Sequence, residues 1–218
     1  SEEFLIIQDL DGVCIPLVKD PLTREIKASY LKSAAKLNNE FAVLTNGEHD
    51  GVRGVNRLVE KALGSLYLPS KEGMYLPGLA AGGIEYQNKF GNIEFPGVTT
   101  EELQFLKLLP IKMKHHLRDK LIKLLPMMTS SQINNLAASA ILDTRFSPTI
   151  NLNGIFSLIP NDIDLQKSIQ LSIQEIMNKL IEYSQEEGLY KSFYLHIAPN
   201  LGKKKGIEII KYSRVGDV

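Results

Sequence analysis

A single cysteine, Cys14, stands among 218 residues, which excludes an intrachain disulfide and any metal site built from several thiolates. Neither sign of charge is in excess: 25 Lys and Arg balance 25 Asp and Glu. A formal net charge of zero supplies no global field toward nucleic acid or an anionic membrane, and neither is expected as a partner. No hydrophobic run is long enough to span a bilayer. The opening SEEFLIIQDLDG carries no basic region and only four apolar residues before a polar one, so it does not read as a signal peptide. Internal repeats and low-complexity segments are also missing. These absences predict a cytoplasmic globular protein. Its 44% of hydrophobic residues suffice for a core, and its length suits one large domain or two small ones.

What is present begins with the apolar residues 4–7, predicted as a short strand buried on both faces, as in a parallel sheet. A helix is expected over 28–37, a second buried strand over 41–44 and a helix over 52–63, which together make a βαβ unit. In such a unit the functional groups lie on loops at the carboxyl ends of the strands, and both strands end in polar residues there. GGIEYQNKFGNIEF reads as a β-hairpin. The pattern changes at Pro96 and Gly97. Residues 99–125 are helical in pattern, with Pro110 dividing them and Leu117, Leu121, Leu124 and Leu125 on one apolar face. A strand is expected over 137–144, a long helix over 164–187 stopped by Gly188, a strand over 192–198, and a helix from IEIIKYS after Gly206. The predicted organisation is a core over 1–96, an inserted α+β domain over 97–198 and a return to the core over 199–218.

The chemistry concentrates in three clusters. The first is Asp9 and Asp11, where the first strand ends in IIQDLDG. Neither has a near neighbour of opposite charge, and two carboxylates at one strand end repel each other. A divalent cation with a taste for hard oxygen ligands, such as Mg²⁺, relieves that conflict. One carboxylate can attack phosphorus and the other can serve as general acid and base. A lone D-x-D is otherwise a solvated strand end or a helix N-cap. The second cluster is VLTNG, with Thr45 offering a hydroxyl and nearby backbone amides to phosphate oxygens; Asn46, Gly47, Glu48 and His49 follow it as candidates for substrate contact. The third is NLGKKKG, from which a lysine can neutralise a phosphoryl group, or which is simply a solvated basic loop.

In this order the three clusters resemble motifs one to three of the haloacid dehalogenase superfamily of phosphatases. The longer stretches IIQDLDGVC, PLVKDPLTR, FAVLTNGEHDGVRGV, EGMYLPGLAAGGIEYQ, SPTINLN and SFYLHIAPNLG resemble the cyanobacterial glucosylglycerol-phosphate phosphatases of salt-stress tolerance. The resemblance implies an α/β fold: a Rossmann-like core with an inserted α+β cap of the C2 type, the cap lying between motifs two and three. It implies Asp9 as nucleophile, Asp11 as acid and base, Thr45 as phosphate-binding residue and Lys205, rather than Lys203 or Lys204, as the motif-three lysine. It implies Mg²⁺ on Asp9 and the carbonyl of Asp11, and glucosylglycerol 3-phosphate as substrate, with glucosylglycerol-phosphate synthase as a possible partner. A fourth, acidic motif is expected in that superfamily. Asp217 lies too close behind Lys205 to supply it, so the C-terminal part of the core is expected to be missing. The alternatives are a phosphatase for another sugar phosphate, such as sucrose phosphate, or a non-catalytic module that binds a sugar phosphate or a partner.

Within the inserted domain, Asp143, Thr149, Asn151 and Asn153 are candidates for contacts to sugar hydroxyls. His115 and His116 are expected to be solvated, and His196 to be a core histidine. The basic residues Lys112, Lys114, Arg118, Lys120 and Lys123 read as a solvated helix face. Cys14 is expected simply to pack beside the loop of Asp9.

Overall fold

The computed structural model describes residues 4–18, 21–198 and 206–211, and these form two compact units divided between Val98 and Thr99. The predicted Lys203, Lys204, Lys205 and Asp217 lie outside the described residues.

The first unit is a mixed five-stranded sheet in sequential order with helices. It runs β1 (Ile6–Asp9), α1 (Ala28–Lys36), β2 (Phe41–Leu44), α2 (Val55–Leu63), α3 (Leu68–Glu72), β3 (Gly78–Ala80), β4 (Glu85–Gln87) and β5 (Ile93–Glu94). β1, β2 and β3 are parallel, and β4 and β5 are antiparallel additions joined by the predicted hairpin. The βαβ unit therefore has its second strand where expected and its first shifted from 4–7 to Ile6–Asp9, with α2 starting at Val55 because Gly54 precedes it in extended conformation.

The burial of the first strand differs from expectation. Leu5 is 55% exposed and Ile7 63% exposed, so β1 is not covered on both faces. The reason is topological. A right-handed crossover from β1 to β2 and another from β2 to β3, both moving in one direction across the sheet, put their helices on the same face. Phe41 and Val43 of β2 point to that face and join Leu31 of α1 and Val55, Leu58 and Val59 of α2 in one core cluster. The alternate residues of β1 and β2, including Ile7 and Leu44, point the other way and are exposed.

The second unit begins with α4 (Thr100–Leu124), one continuous helix of 25 residues. Pro110 does not divide it as expected: Leu106, Leu109, Met113, Leu117 and Leu121 form one buried stripe that runs past the proline on both sides. Full burial of each such side chain stabilises by about 1.5–3 kcal/mol, enough to offset the roughly 3 kcal/mol cost of an internal proline. A capping box between Thr99 and Glu102 fixes the start of α4, and one between Thr129 and Gln132 starts α5 (Ser130–Ala140). That second box and the alanines after it draw residues 137–140 into the helix, so the strand predicted over 137–144 shrinks to β6 (Ile141–Leu142). β7 (Thr149–Asn151), α6 (Asn153–Leu158), α7 (Ile163–Glu186) and β8 (Phe193–Ala198) follow.

Residues 206–211 correct two expectations. They form β9 (Gly206–Lys211), a strand and not a helix, and β9 inserts between β7 and β8 in the sheet of the second unit, in the order β6-β7-β9-β8. This segment therefore belongs with residues 99–198 and does not return to the first unit. Ile207 and Ile209 are both fully buried, and that spacing of two is the period of a strand.

Candidate active site

The turn after β1 is built around one carbonyl. Leu10 and Ile15 are buried anchors, at 0% and 1% exposure, and the Leu10 carbonyl accepts from the N–H groups of Val13, Cys14 and Ile15. Gly12 sits at φ +85°, in the left-handed region that glycine adopts without strain, and donates to the Ile15 carbonyl at 2.7 Å. This compact turn fixes Asp9 at the strand end and Asp11 two residues on. Asp9 is exposed, and its carbonyl accepts a weak contact from Cys14 Sγ at 3.5 Å. Cys14 thus packs beside the loop, as expected.

Asp11 does have a partner of opposite charge, contrary to the sequence reading. Arg24, thirteen residues later, donates from Nη1 to Oδ1 at 2.9 Å and to Oδ2 at 3.2 Å, and its Nη2 donates to the Arg53 carbonyl. The chain between β1 and α1 is long enough to fold back on itself, which brings Arg24 home. Arg24 is the site residue that sequence reasoning missed. Its signal was an arginine in PLTR, within a stretch already marked by resemblance.

The parallel register of β1 and β2 pairs Asp9 with Leu44, so Thr45 begins the loop beside the aspartates at the same edge of the sheet. Thr45 is 3% exposed; its N–H donates to the Leu79 carbonyl at 3.0 Å, and its Oγ1 accepts from the Gly47 N–H at 3.1 Å. The loop is held further by Ala81 N–H to the Gly47 carbonyl at 2.7 Å and Val55 N–H to the Glu48 carbonyl at 3.0 Å. Asn46 is exposed, and Gly47 and Glu48 are half-buried.

His49 is placed otherwise than predicted. It is fully buried, its N–H donates to Glu85 Oε1 at 3.1 Å, and its Nε2 lies 3.1 Å from the Gly78 carbonyl. A buried ring held on the sheet cannot offer itself to a substrate, so His49 braces the loop. A carbonyl only accepts, so the ring proton sits on Nε2, and Nδ1 has no hydrogen-bond partner among the described residues. Burial lowers the His49 pKa below its ordinary value of 6.5, with partial opposition from the bond to Gly78. The unfolded chain therefore binds the proton more readily than the folded one. The stability this contributes is complete above about pH 6.5 and declines as pH falls toward the lowered folded value. His49→Gln is expected to flatten the acid side of a melting-temperature profile taken between about pH 5 and 8. A profile of unchanged slope would remove His49 from the acid response.

The residues predicted for sugar contact lie in the second unit. Asp143 is exposed just after β6, and Asn151 ends β7, where its Oδ1 accepts from the Asn153 N–H at 2.9 Å. Asn151 and Asn153 therefore shape the start of α6. Thr149 is 8% exposed and donates from Oγ1 to the Ser147 carbonyl at 2.8 Å. His115 and His116 are exposed on α4, as expected, whereas His196 is half-buried on β8 and not in the core. Lys112 does not simply point to solvent: its Nζ lies 4.2 Å from the centre of the Tyr183 ring.

Among the described residues no group of three or more His, Cys, Asp and Glu side chains gathers to hold a metal, and no helix is long and apolar enough to cross a membrane. The donors at the end of β1 are two aspartates, one of which already has both carboxylate oxygens on Arg24. A hard divalent cation that takes one or two protein oxygens and keeps several waters fits that set, through the Asp9 carboxylate and a backbone carbonyl. An ion that demands several imidazole or thiolate ligands does not.

Comparison with known proteins places these residues in context. A family model described as glucosylglycerol-phosphate phosphatase matches residues 3–218. The chain is 38% identical over 218 residues to a protein of Synechocystis sp. named glucosylglycerol-phosphate phosphatase, covering 100% of this chain and 52% of that relative. The chain thus spans about half the length of the curated relative it matches.

Proposed function

The chain belongs to the glucosylglycerol-phosphate phosphatase family, and from that membership we propose that it is the part of a phosphomonoesterase that carries the nucleophile, acting on glucosylglycerol 3-phosphate through an aspartyl-phosphate. The observation that carries this reading is the exposed Asp9 at the carboxyl end of β1, with Asp11 two residues on and the Thr45 loop beside it.

In this reading a carboxylate oxygen of Asp9 attacks phosphorus and the bond from phosphorus to the sugar-alcohol oxygen breaks. Asp11 gives its proton to that leaving oxygen, so glucosylglycerol departs neutral. Asp11, now a carboxylate, takes a proton from water as the water attacks phosphorus. The Asp9–phosphorus bond breaks, returning the Asp9 carboxylate and inorganic phosphate. In the loop from Thr45 to Gly47 the Thr45 and Gly47 N–H groups are already bonded, to the Leu79 carbonyl and to Thr45 Oγ1, so the Thr45 hydroxyl proton and the exposed Asn46 would serve the phosphoryl oxygens. A Mg²⁺ ion held by Asp9 and the Asp11 carbonyl would supply neutralising charge to those oxygens. The second unit corresponds to the substrate-reading cap of the C2 type in a haloacid dehalogenase-like enzyme.

The direct test is phosphate release from glucosylglycerol 3-phosphate, with sucrose phosphate in parallel and Mg²⁺ present or chelated. Release from the first substrate, at least about tenfold preferred in kcat/KM and lost on chelation, is the expected result. Preference for sucrose phosphate would reassign the substrate, and binding of a sugar phosphate without release would make the chain a binding module.

A further inference from the structure

We propose that Arg24 is a positioning residue, which aims the Asp11 carboxyl group at the leaving oxygen to which it gives its proton; this rests on the phosphatase reading above. The guanidinium contacts both carboxylate oxygens from Nη1, at 2.9 and 3.2 Å, while Nη2 is held on the Arg53 carbonyl. Its side chain is 10% exposed against 34% for Asp11, so the fixed member of the pair is the arginine and the accessible member is the acid.

The segment that carries Arg24 is itself tied down on α2. Arg57 Nη2 donates to the Leu22 carbonyl at 3.2 Å, and Lys61 Nζ pairs with Glu25 Oε1 at 2.8 Å. The arginine therefore joins two loops at the same edge of the sheet: the turn of Asp11 after β1 and the loop of Arg53 before α2. A planar fork of donors suits this task, because it can hold a carboxylate in one orientation while a second N–H holds the backbone; a lysine ammonium is a single point. An aspartate side chain turns about two bonds, and an acid that must meet one departing oxygen loses rate steeply when misaimed.

The role separates from a structural one by leaving group. A sugar-alcohol oxygen leaves as a poor alkoxide and needs the proton from Asp11. A nitrophenolate leaves as a stabilised anion and does not. The ratio kcat/KM covers only the steps through departure of the leaving group, so later hydrolysis of the aspartyl-phosphate does not blur the comparison.

Arg24→Ala is expected to lower kcat/KM on glucosylglycerol 3-phosphate about 100-fold and on p-nitrophenyl phosphate by no more than about 5-fold. Asp11→Asn should show the same selectivity, and adding Arg24→Ala to it should widen the gap no further. Arg24→Lys, which keeps the charge without the fork, should fall between wild type and Arg24→Ala, and it serves if the alanine variant melts below assay temperature. Equal losses on the two substrates, or an Arg24→Lys protein indistinguishable from wild type, would overturn the positioning role while leaving the phosphatase intact. A wild-type protein that releases phosphate from neither substrate would instead overturn the phosphatase reading itself.

Discussion

Asp9→Asn is expected to lower kcat on glucosylglycerol 3-phosphate by at least about three orders of magnitude, in a preparation whose wild type releases phosphate. The amide has the shape of the carboxylate but lacks its nucleophilic electron pair, so the aspartyl-phosphate cannot form. The fold should not respond. Asp9 is exposed at the end of β1, and the contact it makes with Cys14 is through its backbone carbonyl, which the substitution keeps. Unfolding free energy should therefore stay within about 0.5 kcal/mol of wild type, as for surface changes generally. Denaturant unfolding and phosphate release measured on the same sample check both halves. Turnover close to wild type would remove Asp9 from the nucleophile role, and a large loss of stability would show that the side chain holds the strand end.

Gly78→Ala is expected to destabilise the first unit by at least about 3 kcal/mol. Gly78 opens β3 at φ +138°, and a Cβ built there would lie 2.1 Å from the Val43 carbonyl oxygen and 2.6 Å from the Val43 nitrogen. Both atoms belong to the backbone of the neighbouring strand, so no side chain can swing aside. To admit a methyl group, β3 must move off β2. That movement would disturb the Val43 N–H bond to the Pro77 carbonyl at 2.8 Å, the Thr45 N–H bond to the Leu79 carbonyl and the His49 contact to the Gly78 carbonyl. Stability and the loop of Thr45 should suffer together. Chemical unfolding reads the first effect, and KM for the phosphate ester reads the second. A loss under about 1 kcal/mol would mean that the close approach of the two strands is not needed to hold the sheet.

The two effects differ in kind. Asp9 is accessible and replaceable without structural cost, which is what a reacting group at a strand end requires. Gly78 is enclosed and irreplaceable, and it acts on the site through the position of β2 and through its carbonyl contact to His49. A mutational survey should therefore find the fold sensitive around β3 and the chemistry sensitive around β1.

Some of this was legible in the sequence because it is local. An apolar run of four residues ending in polar ones is a strand with its functional end marked; β2 lies where that pattern put it, and β1 begins and ends two residues further on. The spacing of Asp9 and Asp11 fixed both aspartates to one turn, and Gly12 supplied the left-handed residue that the turn needs. The stop of α7 was equally local, since Gly188 just beyond it takes φ +79°. Tertiary structure alone decided the rest, since each remaining feature depends on residues far apart in the chain. Whether residues 5 and 7 are covered depended on which face the crossover helices took. Whether 206–211 coils as a helix or extends as a strand depended on the open edges of β7 and β8, which accept it between them. The burial of His49 followed from the carbonyl of Gly78, twenty-nine residues away, and the orientation of Asp11 from a guanidinium thirteen residues away. Short-range pattern chose the groups that can react; long-range hydrogen bonding and packing chose which of them stay accessible and where they aim.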